Sequence, residues 1–150
     1  MPIWFYSKSP SHNWLSNFSD HAVLIDGVRW PSVEHYYQAQ KYDDTATRAL
    51  IMSAATAFEA KKKGSNRSLS VRSDWDDVKE SVMRKAVLAK FEQHRLLRSQ
   101  LLETGDEMLC HESNDDLFWG CTRDGVGENR LGKILIDLRT KLHAGERLER

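Results

Sequence analysis

A helix boundary followed by one polar stripe is written into Trp30-Pro31-Ser32-Val33-Glu34-His35-Tyr36-Tyr37-Gln38-Ala39-Gln40-Lys41. Ser32 suits an N-cap, and Pro31 suits the boundary just before it. Glu34 then falls in the first helical turn, where unsatisfied N–H groups favour negative charge, so it is expected to be ionised. Spacings of four and seven residues return to nearly the same helix face and bring Glu34, Gln38 and Lys41 into one stripe. A carboxylate, an amide and an ammonium on one face make a candidate active site. A dipole-complementing glutamate and a solvated lysine have the same spacing.

The surrounding segments set the fold. Ile3 to Tyr6 reads as a short strand, and Ala22 to Ile25 with Val28 to Trp30 flank Asp26-Gly27, a two-residue hairpin signal. Helical patterns follow over Thr45–Met52 and Thr56–Lys63, the second with a Thr56/Glu59 capping box and Gly64 at its stop. Asp74 is expected to cap a helix whose core face carries Trp75, Val78, Val82, Ala86 and Ala89. A further helix with Leu96, Leu97, Leu101 and Leu102 should end near Gly105, and Met108 to Glu112 reads as a strand. Asn129 to Leu142 closes the chain with a Leu131, Ile134, Leu135, Leu138 and Leu142 stripe. The expectation is a mainly α chain with a small antiparallel β-sheet, in the α+β class, forming a single compact domain over residues 1–150.

Length and charge narrow the partners. With 150 residues the chain can bury a core without metals or crosslinks. Its 22 basic and 22 acidic side chains cancel, so no global field draws it onto nucleic acid or an anionic membrane, and a phosphate must be gripped locally. No apolar run spans a bilayer and no secretory leader is evident, so the expected location is cytoplasmic. Cys110 and Cys121 do not form a zinc or disulfide pattern, and the six histidines show no paired-ligand spacing. Neither a metal nor a cofactor is expected.

Three other segments can carry binding chemistry. Asn13-Trp14-Leu15-Ser16-Asn17-Phe18 mixes aromatics with amides, which suits either a planar ligand or a core plug. Lys61-Lys62-Lys63, with Arg67 and Arg72, is the densest basic run and reads as a phosphate grip or a solvated helix end. Trp119 to Gly132 is glycine-rich and leads into a helix, fitting an anion site or a tight loop that needs left-handed glycines. It has neither a P-loop nor a dinucleotide-binding fingerprint.

In their order and intervals, Leu15 to Phe18, Trp30 to Lys41, Trp75 with Met83 and Lys90-Phe91, and Trp119-Gly120 through Asn129-Arg130-Leu131-Gly132 resemble the YbiA family, also called the NADAR superfamily. The resemblance covers nearly the whole chain and implies a YbiA-like fold with N-glycosidase activity. The implied substrates are phosphorylated ribosylamino-pyrimidine intermediates of riboflavin synthesis. The alternatives are ADP-ribosylated guanine, for which nucleic acid becomes a partner, or non-catalytic binding of NAD or ADP-ribose. Cleaving a C1′–N bond builds positive charge on the sugar and negative charge on the departing base. Glu34 then steadies the cation or orients water, while Lys41 donates a proton to the leaving nitrogen or attacks C1′. Asn17 and Gln38 are expected on ribose hydroxyls or the base edge, and Trp119 on the heterocycle, with Trp30 or Phe18 on another wall. Gly120, Gly127, Asn129 and Arg130 are expected on phosphate or sugar, with Arg67 as a second phosphate contact. One departure is Cys121-Thr122-Arg123, where the family carries further glycines.

Overall fold

The computed structural model describes residues 1–145, which divide into two compact units, residues 17–93 and residues 1–16 with 94–145. Among the described residues there are six α-helices and two two-stranded sheets. No helix among them is long and apolar enough to cross a membrane.

Residues 17–93 begin with the expected hairpin. Strands β2 (Val23–Ile25) and β3 (Val28–Trp30) pair antiparallel with Val23 opposite Trp30 and Ile25 opposite Val28. Asp26 and Gly27 sit at φ 52° and 79°, the pair of left-handed residues that a type I′ turn requires. Helix α1 (Val33–Ala39) follows, and all seven of its residues are buried. Helices α2 (Thr45–Met52), α3 (Ala57–Gly64) and α4 (Trp75–Gln93) all pack against it. A helix enclosed on every side has no solvated face, so its polar side chains must find protein or ligand partners.

The expected caps at Ser32 and Thr56 form, and Asp44 makes a third. Ser32, Asp44 and Thr56 each accept a backbone N–H from three residues on, at 3.2, 3.0 and 3.1 Å. Asp74 differs. Its carbonyl accepts the Val78 N–H, while its carboxylate receives Arg72 at 2.6 and 2.9 Å, which holds that carboxyl below the usual range. Gly64 also differs from the expected stop: it lies within the last turn of α3, and Ser65 closes the helix. Its role is close approach, because a Cβ there would lie 2.4 Å from the Gln38 Oε1 and 2.7 Å from the Gln38 Cβ.

The other unit contains strand β1 (Ile3–Phe5), a 3-10 turn at Asn13–Leu15, helix α5 (Arg95–Glu103), strand β4 (Leu109–His111) and helix α6 (Arg130–His143). The first strand does not join the hairpin as its position suggests. It pairs parallel with β4, Ile3 beside Leu109 and Phe5 beside His111. A parallel pair needs a crossover connection, and this one is built by residues a hundred positions apart, a distance at which alternation within either strand carries no signal. Leu131, Ile134, Leu135 and Leu138 of α6 are buried as expected. Arg139 on the same helix is buried too, donating from Nη1 to the Thr104 Oγ1 at 2.9 Å.

Candidate active site

The start of α1 is a locked polar cluster. His35 Nε2 lies 3.0 Å from the Ala54 carbonyl, which only accepts, so Nε2 carries a proton and donates it there. Nδ1 shares a hydrogen bond with the Ser32 hydroxyl at 2.7 Å, and the same hydroxyl oxygen accepts the His35 N–H. The cap and the ring fix one another, and through them the first helical turn.

Glu34 sits in that turn and is only 5% exposed. Its N–H donates to the Asn17 carbonyl at 3.2 Å, and its Oε2 accepts the Gln38 Nε2 at 2.7 Å. The four-residue spacing has therefore produced contact between side chains, as a helical face requires. Because a carboxylate oxygen only accepts, the Gln38 amide must present nitrogen to it, and Oε1 is left facing the gap at Gly64 with no partner. A methyl group at Gly64 would occupy that gap, so α3 contributes empty space that lets Gln38 reach its carboxylate.

Lys41 follows a different path. Helix α1 ends at Ala39 with Gln40 as C-cap, so the seven-residue extrapolation runs past the last helical turn. Lys41 is half-buried in the turn that follows, its Nζ 5.9 Å from the Tyr37 ring centre and its carbonyl accepting the Arg72 N–H at 2.8 Å. Tyr42, buried next to it, donates its hydroxyl to the Gly64 carbonyl. The stripe is thus real from Glu34 to Gln38, and Lys41 is placed by the turn.

Several neighbours in residues 17–93 complete the surroundings. Asn17 is buried and donates from Nδ2 to the Met83 Sδ at 3.3 Å. The Lys61 Nζ lies 5.8 Å from the centre of the Phe18 ring, whereas Lys63 reaches the Leu50 carbonyl at 3.5 Å. The basic run therefore divides, with its first lysine against the aromatic-amide loop. Trp30 is buried edge-on to Tyr36 at 5.6 Å, Trp75 is buried against Tyr37 at 5.2 Å, and Arg67 is exposed. Composition gave no hint of Lys90, which is 2% exposed on α4, its Nζ 5.6 Å from the Phe91 ring centre. Burial pushes its ammonium down to about 7. In the sequence Lys90 directly follows the apolar run Ala86-Val87-Leu88-Ala89.

Trp119, Gly120, Gly127, Asn129 and Arg130 belong to the other unit. Trp119 is buried, edge-on to Phe118 at 4.7 Å, and its N–H donates to the Asp116 carboxylate at 3.0 Å. Gly120 and Gly127 are close-approach positions: a Cβ on the first would lie 2.6 Å from the His111 carbonyl oxygen, and one on the second 2.6 Å from that of Gly120. Asn129, left-handed at φ 49°, spends its amide on β4, donating to the Leu109 carbonyl at 2.9 Å and accepting the His111 N–H at 3.0 Å. Arg130 pairs with Glu128 at 2.9 Å and lies 5.5 Å from the Phe118 ring centre. Among the described residues no three His, Cys, Asp or Glu side chains converge as a metal-binding group.

Comparison with known proteins extends these observations. The NADAR domain model matches residues 4–143. The chain is 44% identical over 140 residues to N-glycosidase YbiA of Escherichia coli, covering 93% of this chain and 88% of that protein. It is 45% identical over 145 residues to an N-glycosidase of Nostoc punctiforme, covering 95% of this chain and 93% of that protein. A riboflavin biosynthesis protein of Vibrio vulnificus is 42% identical over 141 residues, which cover 94% of this chain and 38% of that protein. The NMR structure of E. coli YbiA matches with a TM-score of 0.86 at 43% identity, covering 95% of this chain and 85% of that one.

Proposed function

The chain belongs to the NADAR domain family and is an enzyme of N-glycosyl bonds, and we propose that the bond it hydrolyses joins ribose to nitrogen in phosphorylated ribosylamino-pyrimidine intermediates of riboflavin biosynthesis. In support, proteins alike over nearly this whole chain carry the name N-glycosidase, and another carries the name riboflavin biosynthesis protein. The observation that carries the reading is the buried Glu34 carboxylate held by Gln38 at 2.7 Å. An anion fixed before substrate arrives needs no reorganisation as C1′ becomes cationic, which is the condition for strong electrostatic stabilisation.

In this reading Glu34 steadies the sugar cation or orients the attacking water, and Gln38 acts chiefly by holding Glu34. Asn17, Phe18 and Trp30 shape the sugar and base side, and Arg67 meets phosphate. Lys41 supplies a proton to the departing nitrogen or attacks C1′ of the opened sugar, losing its own proton and releasing the amine as the C1′–N bond breaks. In the other unit Trp119 offers an indole to a heterocycle and Arg130 a guanidinium to phosphate. Gly120, Gly127 and Asn129 set the backbone on which those two residues sit.

Product analysis by mass spectrometry tests the substrate, with ribosylamino-pyrimidine phosphates and ADP-ribosylated guanosine offered side by side. Ribose phosphate and free aminopyrimidine are the expected products. Release from the guanosine substrate alone would replace this reading by de-ADP-ribosylation. Binding without any product would leave a nucleotide-binding module. Borohydride added during turnover separates the two roles of Lys41: a sugar adduct on Lys41 marks the covalent route, and fast turnover without an adduct marks proton donation.

A further inference from the structure

Strands β1 and β4 run parallel, so their carboxyl ends open at one edge, and the chain leaves them there towards Tyr6 on one side and Glu112 on the other. Between these two exits lies a cleft of about 760 Å³, large enough for a small molecule. Its wall includes Arg123. The carboxyl edge of parallel strands is a recurrent ligand position.

The lining has a definite chemistry. The Arg123 guanidinium carbon lies over the Trp4 indole at 4.8 Å, and Glu112 grips it at 3.2 Å through both Nε and Nη2. The guanidinium is therefore held over one aromatic face, while the side chain stays 62% exposed. Planar groups stack on such a surface, as nucleobases do on arginine planes. Beside it the Ser113 hydroxyl accepts the N–H groups of Asp115 and Asp116 at 3.3 and 2.9 Å, fixing a turn that places Asp115 on the cleft wall. A carboxylate accepts both hydroxyls of a ribose diol. Glu112 already neutralises Arg123, and Asp115 leaves the lining net negative, which opposes a phosphate.

We infer that this cleft binds an unphosphorylated ribonucleoside, its base stacked on the outer face of Arg123 and its ribose diol on the Asp115 carboxylate. The site lies within residues 1–16 and 94–145 and stands independently of the reading of Glu34.

Isothermal titration of the full chain with adenosine tests it, with 2′,3′-dideoxyadenosine and adenosine 5′-monophosphate as comparisons. Adenosine should bind saturably at one site, and both comparison ligands should bind more weakly. Arg123→Ala should weaken adenosine about tenfold or more, the loss expected when a stacking platform is removed. Asp115→Asn should weaken it about tenfold and erase the preference over the dideoxy ligand. If Arg123→Ala does not fold, Asp115→Asn, an exposed substitution, still decides the matter. No saturable adenosine binding, a monophosphate that binds as tightly as adenosine, or affinity unchanged in Asp115→Asn would each overturn the inference.

Discussion

Gln38 and Asn129 are both buried amides seated over a glycine, and the molecule uses them in opposite ways. A Cβ on Gly64 would lie 2.4 Å from the Gln38 Oε1; one on Gly132 would lie 2.3 Å from the Asn129 Nδ2 and 2.1 Å from the Leu109 carbonyl oxygen. Asn129 satisfies both ends of its amide on the β4 backbone and acts as a staple between that strand and α6. Gln38 gives one end to a carboxylate and leaves the other without a partner. Fully satisfied buried amides secure a fold, whereas a buried amide spent on holding a charge is retained at a cost. The difference separates a residue that maintains structure from one that maintains chemistry.

The largest expected effect breaks the staple. Gly132→Ala forces a methyl group into backbone and amide atoms together, and a loss of more than about 3 kcal/mol, enough to prevent folding, is expected in thermal or urea denaturation. Lys90→Met sharpens the other side of the comparison by removing a buried charge site. The folded-state pKa of Lys90, about 7, lies below its ordinary 10.5, so between those values the unfolded chain binds a proton that the folded chain does not. Stability from this group therefore rises with pH through that window and is lowest below about 7. Lys90→Met should lose this pH dependence, and denaturation at stepped pH between about 7 and 10.5 should show a flatter stability profile than the parent's.

Two smaller effects follow. Asn129→Ala strands the His111 N–H and the Leu109 carbonyl, and about 1–3 kcal/mol of stability should be lost. Gly64→Ala should cost about 1–2 kcal/mol, because only a side chain has to give way, yet it should lower turnover about tenfold by displacing Gln38 from Glu34. A Gly64→Ala protein with full turnover would remove the distinction between the two amides.

Sequence made the local half of this arrangement readable. Ser32 and Thr56 act within one helical turn, and Asp26-Gly27 within one hairpin, so short-range chemistry settles them. The contact between Glu34 and Gln38 is of the same kind. Lys41 shows the limit: its phase depended on a helix that stops two residues earlier. Gly64 looked like punctuation because its partner, Gln38, is 26 positions away, and β1 looked like part of a hairpin sheet because its partner strand lies beyond the whole 17–93 unit. The 17–93 unit interrupts the other in sequence, a division that composition does not mark.

The central claim is that the carboxylate Gln38 holds is the group that stabilises a sugar carbon as it loses nitrogen. Turnover of a ribosylamino-pyrimidine phosphate by Glu34→Gln, measured beside its binding affinity, tests this most directly. The account predicts kcat reduced by at least about a hundredfold with Kd changed less than about threefold, since an amide of the same shape keeps the pocket and loses the charge. Turnover by Glu34→Gln at the parental rate would contradict it.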